Sequence, residues 1–464
     1  MTTDASAKLS PQEFIDQSPM SRRQRLIVVL GLLMMIAEGL DAAVAAFVYP
    51  RIEDDWGTDT STVTITVTMS VLAMIVGGVV AGPLADRHGR KVVTVTGITV
   101  FGLGTACMAL TQEIVAFTGL RIVACLGLGA VLPTVMALVA DWTPVRRRVQ
   151  MVALAFTGVT AGTAVGGLLA SVLIPAFGWP TLLAVCGIAP LLLIPTVLRF
   201  VPESVSVLAA RGRTAQLREA LTAVAPGRDL SGVALEQTVL RKQPRPPARV
   251  ILSRDFAPTT LLLWLCFFVG QGVVFVILSY LPLLAERAGT GLTGSQAAVA
   301  IAVFGWGGLM GQLAVSFALK RLDRLRALLG LWGLALVCFA ASGLWAERFP
   351  TLLAGAFVLG LCLPAANASL QATAAVAYPP SARATGMSWA NSAGKLGPVA
   401  GGLLGGLMAN AGWSLSTVLL TLTVPVGVGI VATLTLNARR SGPPPVPQPA
   451  PRPLPASTPA PEQV

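Results

Sequence analysis

The chain has 464 residues, 54% of them hydrophobic and only 12% charged, and its mean hydropathy is +0.74. A soluble domain carries about 25% charged residues, so a water-surrounded globular fold is excluded. Residues 1–25 form a short polar leader whose basic end (Lys8, Arg22, Arg23, Arg25) abuts the first apolar run. No secretory signal stands before that run, so the leader reads as cytoplasmic. Apolar runs of bilayer-crossing length then fall at 26–48, 62–82, 92–111, 115–139, 150–173 and 179–199. A polar, Pro/Arg-rich stretch, 200–256, separates them from six more at 257–283, 295–318, 326–345, 351–375, 385–408 and 413–436. The pattern predicts an all-α polytopic membrane protein with twelve transmembrane helices, in bundles over 26–199 and 257–436. The Pro-rich tail, 437–464, is expected to be extended and disordered.

The net charge of +12 does not indicate nucleic acid, because the basic residues alternate with span parity. Arg87, Arg90 and Lys91 follow the second run, Arg146, Arg147 and Arg148 the fourth, and Lys320, Arg321 and Arg324 the eighth. The alternate loops hold little beyond Arg51, Arg287 and Arg348. This asymmetry puts both termini in the cytoplasm. The six cysteines are scattered through the runs and read as small buried hydrophobes, and the single histidine, His88, lies in a basic loop. No metal site or cofactor is expected. With no phosphate-binding Gly-x-x-x-x-Gly-Lys-Ser/Thr loop and no enzyme signature, neither an ATP-driven pump nor an enzyme is indicated.

The first run carries the most informative residues. Glu38 and Asp41 interrupt it, and a carboxylate at that depth costs about 2.5–3.5 kcal/mol on insertion scales. Such groups face a polar interior and act there. Asp41 lies about 22 Å along a helix entering at Leu26, with Glu38 one turn nearer the start on the same face. Arg121, opening the fourth run from the other side, reaches similar depth and is the expected partner of Asp41. Burial raises a carboxyl pKa and a guanidinium lowers it, so a conformational change can exchange a proton there. Asp41 is the first choice as proton carrier and Glu38 the second; the alternative is a static pair that only sets helix register.

The two blocks show weak internal similarity. Gly82-Pro83-Leu84-Ala85-Asp86-Arg87-His88-Gly89-Arg90-Lys91 ends the second run, and a degraded counterpart around Lys320 and Asp323 ends the eighth. Gly158, Gly162, Gly166 and Gly167 in the fifth run match a glycine series in the eleventh. Duplicated halves of this kind rock about a midplane site. The Gly-x-Leu-x-Asp-Arg-x-Gly-Arg-Lys loop resembles the signature of the major facilitator superfamily, as do Arg121 with Gly127 and Gly129, and Pro202-Glu203-Ser204. This resemblance spans all twelve runs and implies the major facilitator fold. Three further segments resemble the aromatic acid:proton symporters of that superfamily: Glu38-Gly39-Leu40-Asp41, Asp141-Trp142-x-Pro144-x-Arg146-Arg147-Arg148, and Tyr378-Pro379 through Arg383, Gly386 and Trp389 to Gly394-Lys395-Leu396-Gly397. Glu38, Leu40, Asp141 and Lys395 stand where that group has Asp, an aromatic, Glu and Arg.

The resemblance implies a monomeric, proton-coupled importer of a benzoate- or hydroxybenzoate-type acid in a bacterial-type inner membrane. Lys395, a lone cation within a run, is the candidate counter-ion for the acid. Trp389, Asn391, Gln271, Trp264 and Trp306 are candidates for walls and polar contacts, although an aromatic taken singly more often packs or faces lipid. Gly82, Asp86, Arg87, Gly89, Arg90, Asp141, Arg148 and Arg383 resemble the superfamily's cytoplasmic gate, with Asp141 and Arg148 expected to pair with Asp86 and Arg90. A proton-coupled efflux antiporter of the same fold is the alternative, weakened by Thr163 where exporters carry proline. A non-transporting receptor lacks an appended signalling domain.

Overall fold

A computed structural model describes residues 10–224, 247–287, 292–319, 321–346, 348–378 and 383–440. Their regular secondary structure is all helical, with no strand among them. The first half holds α1 (Arg22–Trp56), α2 (Thr60–His88), α3 (Arg90–Met108), α4 (Ile114–Trp142), α5 (Val145–Phe177) and α6 (Trp179–Leu191, continued by Ile194–Phe200). The second holds α7 (Ala257–Arg287), α8 (Gly294–Ala318), α9 (Arg324–Ala340, then Ser342–Trp345), α10 (Phe349–Ala377), α11 (Arg383–Gly394, then Leu396–Asn410) and α12 (Leu415–Thr421, then Thr423–Arg440).

Among the described residues nine helices are long and apolar enough to cross a membrane. Of the remaining helices, α1 carries Glu38 and Asp41, the first segment of α9 has 17 residues, and α11 breaks at Lys395. Local chemistry sets several of the ends. Ser21 with Gln24 and Thr293 with Gln296 form capping boxes on α1 and α8, while Asp59, Asp323 and Ser414 cap α2, α9 and α12. Asp323 spends its carboxylate on the amides of Leu325 and Arg326; Lys320, its neighbour in the degraded motif, lies outside the described residues.

The halves repeat one packing scheme. In the first, α1 packs on α5, α4 on α2 and α3, and α3 on α6; in the second, α7 packs on α11, α10 on α8 and α9, and α9 on α12. The halves meet through α5 against α8, α2 against α11 and α1 against α7. Small residues permit these approaches. The closest lie at the end away from the basic loops. There Gly167 abuts Ala298 and Ala302, Gly305 abuts Ala164, Gly406 abuts Thr64, and Ser295 donates to the Ser171 carbonyl at 3.1 Å. Deeper, the Thr160 hydroxyl donates to Gln312 Oε1 at 3.2 Å. Toward the basic end, hydrogen bonds such as Arg90 to Asp141, Arg324 to the Ala372 carbonyl and Tyr378 to Thr260 stay within one half.

Two segments read from sequence as leader and loop carry structure. The helix Pro11–Asp16 buries Phe14 and Ile15, and Val205–Ala210 and Thr214–Val224 bury Leu208, Leu217 and Leu221 in the same cluster under the basic end of the first half. Residues 225–246 and the tail from 441 lie outside the described set.

Candidate functional site

At the level where the halves meet, α1 presents Asp41 to Arg121 of α4. The guanidinium donates from both terminal nitrogens, at 2.5 Å to Oδ1 and 2.8 Å to Oδ2, with side chains 8% and 4% exposed. A bidentate fork is the geometry in which a buried carboxylate and guanidinium best satisfy each other. Tyr49 and Cys125 stand within electrostatic reach of the pair. One turn toward the basic end, Glu38 has no such partner: its Oε2 is buried without a hydrogen bond. Its neighbour Gly39 lies directly against Val159 and Thr163 of α5, so the acid is held close to that helix.

Lys395 comes from the opposite half, at the break between the two segments of α11. It makes no ion pair among the described residues, although it and Glu38 act on each other electrostatically. Its ammonium crosses to α2, where a Cβ added at Gly78 would meet Nζ at 3.0 Å and the Gly129 carbonyl at 3.2 Å. Only a glycine leaves that approach open. Amides surround the break. Gln371 Nε2 donates to Asn391 Oδ1 at 2.6 Å, Asn391 Nδ2 donates back to Gln371 Oε1 at 3.2 Å, and Gln271 Nε2 lies against Gly394. Nearer the basic end, Trp264 and Trp389 face each other with ring centroids 6.0 Å apart and planes inclined by 37°.

Thus Glu38, Asp41 and Arg121 gather on the first half, and Lys395, Asn391, Gln271, Trp264 and Trp389 on the second. Trp306 stands apart. On α8 its neighbours Gly305, Gly307, Gly308 and Gly311 turn toward α5 and α10, while Trp306, Met310, Leu313 and Phe317 form an exposed apolar stripe on the other side.

At the basic end Arg90 donates to Asp141 at 2.6 Å, and the same Asp141 oxygen accepts from the Ser204 hydroxyl and, at 3.2 Å, from Ser206. Gly89 turns between α2 and α3 with φ +110°, a conformation side chains rarely adopt, and the Glu203 carboxylate fills the space a Cβ would need. Glu203 Oε1 also accepts from the Lys91 amide at 3.0 Å. Arg148 does not join this group; it pairs at 3.7 Å with Asp16 of the leader helix, whose Oδ1 also accepts from the Val145 amide. Gly82 and Arg87 are exposed, and the side chains of Asp86 and Arg383 lie outside the described residues.

The sequence profile of the Major Facilitator Superfamily matches residues 31–341 and 288–461. The chain belongs to the Major Facilitator Superfamily. Relatives of this facilitator include the 4-hydroxybenzoate transporter PcaK of Pseudomonas aeruginosa, 35% identical over 421 residues that cover 89% of this chain and 93% of that one. The gallate transporter of Pseudomonas putida is 32% identical over 409 residues, covering 88% and 91%. Among solved structures, the partially occluded inward-open conformation of the xylose transporter XylE from E. coli superposes with a TM-score of 0.69 at 16% identity, covering 90% of this chain and 98% of that one. At that identity the likeness speaks for the fold alone. The facilitator is accordingly a multi-pass membrane transporter and not an enzyme.

Several residues of the facilitator's site escaped the sequence reading. Gln371, which bonds Asn391, and Asn367, one turn earlier on α10 and set against Gly270 of α7, are amides in an apolar helix, and that cost alone is a signal. Asp16 was hidden in a leader too short to show a period. Ser204 and Glu203 belonged to a quoted motif, but nothing in their spacing named Asp141 or Gly89 as their neighbours.

Proposed function

We propose that this facilitator is a proton-coupled symporter that imports a small aromatic carboxylate of the benzoate or hydroxybenzoate type by alternating access. The observation that carries the reading is the buried Asp41–Arg121 pair with Glu38 one turn away on α1, and, from the opposite half, Lys395 on α11, which acts on Glu38 electrostatically and makes no ion pair among the described residues. An aromatic monocarboxylate needs a cation for its charge and flat apolar walls for its ring. Lys395 meets the first need, and Trp264 with Trp389 the second. Asn391 and Gln271 add polar contacts beside the cation. Asp41, Glu38 and Arg121 form the proton-coupling group, for a carboxylate that must be neutralised to cross is a proton carrier. Relatives named for 4-hydroxybenzoate and gallate support the substrate class.

By the positive-inside rule the basic loops support a reading in which their end of the molecule, and with it both termini, faces the cytoplasm of a bacterial-type inner membrane; the protein is proposed to act as a monomer. The close packing at the other end then corresponds to an inward-facing state. Arg90, Asp141 and the residues of the Gly82–Lys91 loop, with Arg148 and Arg383, form the inner gate, which exchanges its partners within the first half for partners across the interface when the inner side shuts.

Uptake of radiolabelled 4-hydroxybenzoate into cells expressing the protein tests this. Accumulation should exceed the outside concentration and collapse with a proton uncoupler. Accumulation indifferent to the uncoupler, or loss of label from preloaded cells driven by the proton gradient, would overturn it.

A further inference from the structure

The charged groups near the interface, taken together, bear on how many protons accompany each acid. At this level the described residues bring four of them: Glu38 and Asp41 from α1, Arg121 from α4 and Lys395 from α11. α5, packed along α1, brings Val159, Gly162 and Thr163 against Ile36 and Gly39 beside the acids, and α7 brings Gln271 against Gly394 beside Lys395; none of these adds a charge there. With all four ionised the sum is zero. A carboxylate entering this group makes the sum −1, and an uncompensated charge away from water is strongly disfavoured.

One of the two acids can restore neutrality by taking a proton, and the geometry distinguishes them. Asp41 has both oxygens in the Arg121 fork, so protonating it would sacrifice one of two charge-assisted hydrogen bonds. Glu38 has a buried oxygen with no donor, and among the described residues the cation that acts on it is Lys395. The same ammonium is the one available to the substrate.

We infer that Glu38 is the resting counter-ion of Lys395, and that the acid substrate displaces it in exchange for one proton on Glu38. In the empty site Lys395 balances Glu38. On binding, the substrate carboxylate takes over Lys395, and Glu38 accepts a proton from water on the open side. No covalent bond changes, and the group is neutral before and after. Asp41 and Arg121 remain paired through this step. One monocarboxylate therefore enters with one proton, and a neutral analogue of the same ring enters without one.

The inference rests on the symport reading, and one experiment separates the two. Binding of 4-hydroxybenzoate to the purified full-length protein is followed by titration calorimetry at fixed pH in buffers of different ionisation enthalpy, which reports protons taken up per ligand bound. The wild type should take up about one proton, with Kd rising about tenfold per pH unit on the alkaline side. Glu38→Gln should bind with uptake near zero and a flat pH dependence, and Glu38→Asp should keep the uptake, which guards against a folding effect. Wild type that binds no 4-hydroxybenzoate overturns the symport reading beneath the inference. Wild type that binds without proton uptake, or Glu38→Gln that still takes up a proton, overturns the inference alone.

Discussion

The two halves of the molecule share a packing scheme and differ in chemistry. Where α1 meets α5 and α7 meets α11, both halves use glycine to bring backbones together. The first half, however, neutralises Asp41 internally through Arg121 and leaves Glu38 without a partner of its own, while the second leaves Lys395 among amides with no ion pair among the described residues. A duplicated frame thus supports unduplicated functions: one half holds a charge safely, and the other keeps a charge available.

Neutralising Asp41 should produce the largest effect and break that contrast. Asp41→Asn leaves Arg121 buried without a counter-charge, a change that typically costs about 3–5 kcal/mol. Thermal unfolding in detergent should show a large drop, recovered in good part by Asp41→Asn with Arg121→Gln. Proton-driven accumulation should be lost in both, with exchange of internal for external acid partly retained in the single variant. A single variant as stable as wild type would show that the pair is not load-sharing in the fold.

Lys395→Ala should do the opposite. Truncating one side of a buried charge contact with a ligand costs about 2–5 kcal/mol of binding, so acid uptake should fall at least about 30-fold. Stability should change by no more than about 1 kcal/mol, because among the described residues Lys395 has no hydrogen-bonded ion pair to lose and Glu38, left without its counter-ion, can take up a proton. Normal uptake by this variant would remove Lys395 from the site.

How legible the site was in sequence follows from the same distinction. Twelve helices and the positions of Asp41, Arg121 and Lys395 could be read because a charge in an apolar run is costly and therefore conspicuous. The partnership of Asp41 with Arg121 followed from depth alone. Depth does not fix azimuth, and that is where reading stopped. Trp306 stands opposite the glycines that mark the packed face of α8, a rotation visible only once those glycines are seen against α5 and α10. The break at Lys395 was equally hidden, since Gly394 before it resembles the packing glycines that follow. Arg148 was expected to pair within the gate loops, whereas its partner Asp16 lies in a leader whose Phe14 and Ile15 are too few to show a period.

The duplicated frame itself can be sharpened by matched glycine substitutions. A Cβ at Gly162 would meet the Gly39 Cα at 2.9 Å, and one at Gly397 would meet the Gly272 amide nitrogen at 2.8 Å. Because backbone cannot yield as a side-chain tip does, each alanine variant should lose about 1–3 kcal/mol. Gly330→Ala, with open space around it, should instead be neutral or gain up to about 1 kcal/mol. Equal losses at Gly162 and Gly397, measured by thermal unfolding, support an equivalent role in the two halves; a loss at only one would confine the tight interface to that half.

The smallest effect concerns the leader helix, which has no counterpart in the second half among the described residues. The Ser10 amide donates to Glu13 Oε2 at 2.8 Å, and with the Ser10 side chain this holds the Glu13 carboxyl below the usual carboxylate range. A depressed pKa in the folded state means that the contribution is present above the unfolded value, about 4.3, and is lost as pH falls through the folded one. Acidification should therefore loosen the first turn of this helix. Phe14 and Ile15 nevertheless stay buried, at about 1.5–3 kcal/mol each, and outweigh an exposed cap. Hydrogen exchange should accelerate at Glu13 and Phe14 below about pH 4, where their amides make the helix's first bonds, while Gln17 and α1 remain protected. Glu13→Gln should show weaker protection at neutral pH and less further loss in acid. Release of the whole segment in acid would mean that the capping box, and not the two apolar side chains, holds the leader against the first half.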